Sequence, residues 1–586
     1  MSGPAERLRS SPASISPARE RLWIALVVVL AMLLTFYRLG QGSLWDQDET
    51  KYAQVAREIL QTGDPITLHV NGRPWYVHPP LYMWLVALTG RVFGFTEFTV
   101  RVWSAAFSVL TVYATMRLGR LWFGPRAGVF AGVILAVTFH FLVQSRLAVF
   151  DTVLLAWMLL AVYSFARAYG RGGREDYLRF FLFAGLATLT KGPIGLLLPA
   201  LTIVPFVTIR RAWRRWREVP WTAGLALYAA VGLSWYAAEA WLHGRTFVAS
   251  VLGYYGVGRF FGVVENQAGP WYYYVPVVLL GGIPWTAFWP AAAAYHLRRR
   301  RDHDGSLFVL LWCAITFVFY SAAGTKLPNY VLPIYPIAAV GVAAFWDRAL
   351  RSTKEPAGIS PEPSGGAHAI GMSVWVLAAL IAALSVGIAG YLRRLYPDPF
   401  HTFGHVLVVP AAAFAIGGFA VLVITAGFHR PLVGFVALCA TMAVTWVGVL
   451  AAVVPVVEAQ KPMKPLALAI RSALQPGDRI VGYRLSIYSS LIFYTDHPVE
   501  WVDAPDALRQ AVCGPGRVFV VITSQGWEAV RRILRVPLEL YAERGGTRVF
   551  LKPNQKACSG ATGMMPPRSI RATVGRIRAA SSRVYT

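Results

Sequence analysis

Apolar runs recur along residues 22–454 at lengths close to the ~20 residues needed to cross a bilayer core. Short Arg-rich clusters separate many of them, among them residues 117–126, 171–179, 210–217 and 298–301. Barrel strands would read as short alternating segments instead. The pattern therefore predicts a polytopic α-helical membrane protein. Spans are expected at 22–37, 98–118, 127–143, 152–169, 180–190, 194–209, 221–241, 271–296, 307–322, 331–346, 374–392, 405–428 and 431–454, about 13 in all. Residues 79–94 are apolar but short, and read as interfacial or re-entrant. If they crossed, the later Arg clusters would fall outside, against the positive-inside rule.

That rule places the N-terminus in the cytoplasm and the C-terminal part outside, together with the polar loop 40–80. Residues 1–21 are Ser/Pro/Arg-rich and are expected to be a disordered cytoplasmic segment. Residues 22–455 then form the transmembrane domain. Within residues 456–555, strand signals at 478–484, 491–495, 517–523 and 547–553 mix with helix signals at 462–474, 504–512 and 526–535. They predict a C-terminal extracytoplasmic α/β domain. No G-x-G-x-x-G follows a strand there, so nucleotide binding has no support. Residues 556–586 are expected to be a basic, disordered tail.

Composition agrees with the pattern: 56% of residues are hydrophobic and 15% charged, with mean hydropathy +0.48. The net charge of +27 sits in clusters between spans and not on one soluble face. It is explained by membrane topology, not by nucleic-acid binding. The four cysteines, Cys313, Cys439, Cys513 and Cys558, lack metal-ligand spacing. Only Cys513 and Cys558 could pair, and the sequence leaves that open.

The loop after the first span is the most polar stretch. It opens with Asp46, Asp48 and Glu49 and closes with Tyr76, His78, Pro79 and Pro80. Between them residues 48–60 have helical spacing, with Tyr52, Val55, Ala56 and Ile59 on one stripe. The informative cations are those the topology puts outside, several beside Pro or Gly at span ends: Lys191 in TKGPIG, Arg259 in GVGRFFG and Lys326 in GTKLPNY. Asp48, Glu49 and Asp151 cluster on the same side. Such a set suits phosphate chemistry at headgroup depth. Lys and Arg stabilise the charge that develops on a leaving polyprenyl phosphate, and a carboxylate accepts the proton of an attacking hydroxyl. Each residue also has a structural alternative. Asp48 and Glu49 could charge the start of the following helix, and Asp151 could cap the next span. Lys191 and Lys326 could reach headgroups, His78 could bond loop backbone, and Arg259 could anchor at the interface.

The stretches DQDETKYAQVAREILQTGD, YVHPPLY, FTVRVWSA, LAVFDT, LTKGPIG, GPWYYYVPVVLLGGIPW and GTKLPNYVLPIYP together resemble the GT-C membrane glycosyltransferases. Within that class they resemble the lipid A aminoarabinose transferase and protein O-mannosyltransferase group. The resemblance covers roughly residues 20–350, and is weaker beyond. It implies inverting transfer of a hexose or pentose from an undecaprenyl-phosphate-linked donor. The acceptor would be lipid A, a glycan or a protein on the outer face of the bacterial inner membrane. By position, Asp48, Glu49 and Asp151 match the catalytic acids. His78, Lys191, Arg259, Lys326 and Tyr330 fall where substrate or lipid phosphate is bound. The chain departs from the aminoarabinose transferases at Val77-His78, where they carry Glu-Lys and the Glu helps hold a metal. Val77 cannot ligate a metal, so no cofactor is firmly implied and a divalent metal stays open. The wider group carries His-Pro-Pro at this point. The competing function is a polyprenyl-lipid or sugar-lipid flippase. Such carriers place charges at the midplane on paired broken helices, whereas here they lie at the outer boundary and no repeat is visible.

Overall fold

The computed structural model describes residues 16–251, 262, 267–352, 373, 376, 405–427, 430–485, 488–534 and 536–554. The linker from residue 353, nearly all of the span expected at 374–392, Cys558 and the basic tail lie outside the described residues. The chain divides into two units.

The first unit comprises Met1–Gly40, Tyr76–Leu85 and Arg101–Val453. Among its described residues are helices Pro17–Phe36, Asp151–Arg171, Arg174–Lys191, Ile194–Ile209, Asp304–Ala322, Ile334–Ser352 and Pro431–Gly448. Across the described residues of the whole chain, four helices are long and apolar enough to cross a membrane, or up to six if each of two bent pairs is one span. Leu33, Val318, Ile416 and Phe419 stand exposed on apolar helices, as a lipid-facing surface requires.

The two bent pairs differ from the straight spans expected at 127–143 and 271–296. Helices Pro125–Ala136 and Phe139–Ser145 meet at 66°, and Tyr274–Gly281 meets Trp285–Arg299 at 103°. The second bend follows from the sequence, because Gly281, Gly282 and Pro284 interrupt the helix there. The two breaks answer one another. The Phe139 N–H donates to the Ile283 carbonyl at 3.1 Å, satisfying backbone groups that lipid could not. Tyr335 Oη, 3.0 Å from His140 Nδ1, approaches so closely that a Cβ on Gly281 would lie 2.1 Å from it. Arg146 caps the first helix by donating to the carbonyls of Thr35 and Arg38 at 2.7 and 3.1 Å.

The second unit comprises Gln41–Trp75, Val86–Val100 and Val454–Thr586. Its centre is a five-stranded sheet of β3 (Arg479–Tyr483), β4 (Val499–Val502), β5 (Val518–Thr523), β6 (Glu539–Arg544) and β7 (Thr547–Lys552), in the order β4-β3-β5-β7-β6. β3 pairs in parallel with β4 and β5; β7 runs antiparallel to β5 and β6. Helices Pro505–Cys513 and Ser524–Leu534 pack on one face through Leu508, Val512, Val530 and Leu534. Gly482 on β3 makes room for the Trp501 ring, which a Cβ would meet at 2.4 Å. Cys513 is disulfide-bonded.

Two strands, β4 and β6, were not legible in the sequence, and LIFYT is not a strand. It forms helix Ser489–Thr495, with all seven residues buried. An apolar run with both faces covered carries no periodicity to separate helix from strand, and packing decides. The remaining strands, β1 (His69–Val70) and β2 (Arg73–Pro74), make a small hairpin after helix Glu49–Thr62. That helix buries the expected stripe Tyr52, Val55, Ala56 and Ile59, and ends at Gly63, φ +72°. Glu58 fixes the hairpin by accepting the N–H groups of Asn71 and Gly72 at 2.7 and 3.0 Å. Asn71 then exchanges two hydrogen bonds with the backbone of Val499 on edge strand β4. The polar loop is thereby stitched to a sheet more than four hundred residues further along the chain.

Candidate active site

In the first unit the site grows from a helical hairpin. Asp151–Arg171 runs out, Gly172 and Gly173 turn the chain at φ +69° and +142°, and Arg174–Lys191 returns. The first residue of one helix is thus beside the last of the other. Lys191 Nζ lies 2.5 Å from Asp151 Oδ1, with the side chains 14% and 5% exposed. Each charge also sits at the helix end whose dipole favours it. Asn329, in the short turn Pro328–Val331, donates from Nδ2 to Asp151 Oδ2 at 2.8 Å. The Lys191 ammonium lies 4.9 Å from the centre of the Phe150 ring and 4.8 Å from that of Tyr330. Asp151, Leu154, Lys191, Tyr320, Asn329, Tyr330, Leu332 and Pro333 line one small hollow.

Asp151 does not cap its helix; Phe150 occupies the cap position. With both carboxylate oxygens engaged, Asp151 acts on its neighbours, holding Lys191 and Asn329. Lys191 spends one of its three donors on Asp151 and faces the hollow as a cation backed by two aromatic rings. A phosphate oxygen is the natural partner for such a group.

Lys326 is differently placed. Its ammonium donates to the carbonyls of Ser321 and Ala323, both at 2.8 Å, capping helix Asp304–Ala322, and lies 5.7 Å from the Tyr274 ring centre. Burial lowers its pKa from the ordinary lysine value. His78 sets its ring against Phe150 at 4.5 Å, one residue from Asp151. Arg259 lies outside the described residues. Among the described residues no three His, Cys, Asp or Glu side chains converge as metal ligands would.

In the second unit Asp48 and Glu49 separate clearly. Glu49 is 1% exposed. Its Oε2 accepts the Trp45 N–H at 2.8 Å, closing the turn that starts the helix. Asp48 is exposed, takes the N-cap position without a capping hydrogen bond, and accepts from Tyr52 Oη at 3.2 Å. Asp46 Oδ1 accepts the Ser490 N–H at 3.1 Å; burial pushes its carboxyl upward against the lowering pull of Ser490 and Lys461.

Sequence reasoning missed Asn329 and Tyr320 as neighbours of Asp151. Asn329 was within reach of it, standing between Lys326 and Tyr330 in GTKLPNY. It also missed every contact between the first loop and the C-terminal region.

A bundle of apolar helices with broken members, carrying a buried acid–base pair beside a hollow, has the architecture of a GT-C membrane glycosyltransferase. The structure superposes on ArnT from Cupriavidus metallidurans bound to undecaprenyl phosphate with a TM-score of 0.78 at 20% identity, covering 92% of this chain and 99% of that one. The apo form of the same enzyme gives 0.77. A family profile described as dolichyl-phosphate-mannose-protein mannosyltransferase matches residues 77–236. The undecaprenyl phosphate-α-4-amino-4-deoxy-L-arabinose arabinosyl transferase of Edwardsiella ictaluri is 30% identical over 404 residues, 62% of this chain and 72% of that protein. The Pseudomonas aeruginosa protein of that name is 30% identical over 416 residues, 68% of this chain and 71% of its own. The chain belongs to this family of undecaprenyl-phosphate-dependent aminoarabinose transferases, and is a membrane glycosyltransferase.

Proposed function

We propose that the chain transfers a sugar from an undecaprenyl-phosphate-linked donor to a lipid A-type acceptor at the outer face of the bacterial inner membrane. The observation that carries this reading is the Lys191–Asp151–Asn329 cluster beside Tyr330, a cation held rigidly at one hollow. In this reading Lys191 binds the leaving phosphate, with Lys326, Arg259, His78 and Tyr330 completing the donor site. Asp151 orients Lys191. Asp48 accepts the proton of the acceptor hydroxyl, and Glu49 shapes the turn that presents it. Inversion at the sugar follows from a single displacement on the donor. Mass spectrometry of envelope lipids with and without the gene tests the reading. Lipid A is expected to gain the mass of one sugar only when the chain is present. An added sugar on protein or glycan alone would move the acceptor, and no change in any envelope fraction would overturn the function.

The organisation proposed with it is a cytoplasmic segment 1–21, a transmembrane domain 22–455 of about 13 spans, an extracytoplasmic α/β domain 456–555 and a basic tail 556–586. Cysteines introduced at the exposed Gln61 and Gln525 are both expected to label from outside intact cells. Labelling of either one only after permeabilisation would sink this topology.

A further inference from the structure

We propose that the C-terminal α/β region is the positioning device of the turn that carries Asp48, with Tyr494 as its central positioning residue; this rests on the reading of Asp48 as the acceptor-side carboxylate. Four consecutive residues of the turn are each held by a residue more than four hundred positions away. Lys461 Nζ donates to the Ser43 carbonyl at 3.1 Å and lies 3.6 Å from the centre of the Trp45 ring. Tyr494 Oη accepts the Leu44 N–H at 2.8 Å and donates to Glu97 Oε1 at 3.0 Å. Glu97 is itself bound by Lys464 Nζ at 2.5 Å. Ser490 N–H donates to Asp46. Arg57, further along the same helix, donates to the Phe493 carbonyl and to Asp496 Oδ1 at 2.7 and 3.2 Å.

The grip has a conformational purpose. Gln47, between Asp46 and Asp48, has φ +75°. A non-glycine residue keeps a left-handed backbone only where its surroundings over-determine it. Here the determinants are Asp46 on Ser490, Glu49 on Trp45, and the Asp48 N–H on the Asp46 carbonyl at 3.2 Å. Ser490 belongs to the helix that follows β3, the strand lying between parallel neighbours β4 and β5. Sheets of this kind take ligands at the carboxyl ends of their strands where the order reverses. In this chain a donor from that position is engaged by Asp46 of the chain itself. The α/β region thereby acts on the reaction through the loop, without touching substrate.

Tyr494→Phe tests this, because it keeps the buried ring and removes the hydroxyl that links Leu44 to Glu97. A base displaced by a fraction of an ångström loses rate without losing donor affinity. With purified enzyme and undecaprenyl-phosphate-linked sugar, kcat is expected to fall by on the order of 10-fold, with KM for the donor unchanged. A nitroxide on Gln47→Cys should become more mobile in the Tyr494→Phe background. Asp46→Ala should behave like Tyr494→Phe. Asp46→Asn, whose amide oxygen still accepts the Ser490 N–H, should be restored. Unchanged kcat and an unchanged nitroxide spectrum in Tyr494→Phe would overturn the proposal. So would a lower folded yield with normal kcat per folded molecule, the mark of a merely structural role. If Asp48→Asn proves active, the catalytic reading falls by itself, and the nitroxide spectrum still decides whether Tyr494 fixes the turn. Should Tyr494→Phe fail to fold, Lys461→Met carries the same two readouts.

Discussion

Asp48→Asn is expected to lower turnover by on the order of 10²–10⁴-fold, the usual contribution of a general base, while membrane insertion and donor binding persist. A hydroxyl acceptor must lose its proton as it attacks, and an amide cannot take it. The substitution is nearly isosteric. Asp48 makes no capping hydrogen bond, and its Tyr52 partner can still donate to an amide oxygen. The neighbouring acid supplies the control. Glu49 is buried and accepts the Trp45 N–H. Glu49→Gln retains an acceptor oxygen and should keep near-normal turnover, whereas Glu49→Ala should lose folded protein. Normal transfer by Asp48→Asn with a dead Glu49→Gln would exchange the two roles. Both variants fully active would end the reading of this loop as catalytic.

How far the sequence could be read depends on which interactions are local. The helix after Asp48 was legible because its stripe recurs at helical spacing and Gly63 stops it. The sequence put Asp151 and Lys191 on the same side, at the ends of neighbouring apolar runs, but their direct pairing across the hairpin turned by Gly172 and Gly173 came only from the structure. The bends at 137–138 and 282–284 were missed because hydropathy counts apolar residues and does not see Phe139 reaching for the Ile283 carbonyl. LIFYT was misread because burial on every side erases periodicity. The attachment of the first loop to the C-terminal sheet was invisible for a different reason. It depends on single hydrogen bonds, such as Tyr494 to Leu44 and Asn71 to Val499, between segments with no sequence signal in common.

The Lys191–Asp151 pair gives the second large effect, and its structural and catalytic roles separate in a three-variant series. Lys191→Met removes the cation and leaves the Asp151 carboxylate buried with Asn329 as its remaining partner. If Lys191 contacts the leaving phosphate, the loss of transition-state stabilisation should be about 2–4 kcal/mol, by analogy with a lost oxyanion donor. Breaking a buried pair on one side also costs about 3–5 kcal/mol of stability, so a dead single variant alone proves little. Asp151→Asn should be milder for turnover, because the ammonium stays and the amide oxygen can still accept from it, but it too leaves one buried charge unpaired. The double variant Lys191→Met/Asp151→Asn removes both charges together. Its thermal stability should recover toward wild type, since no uncompensated buried charge remains, while turnover with saturating donor should stay as low as in Lys191→Met. Recovery of stability and turnover together would make the pair a structural strut between two helix ends, and the phosphate would have to be held by other cations. Recovery of stability alone assigns the ammonium to the reaction itself.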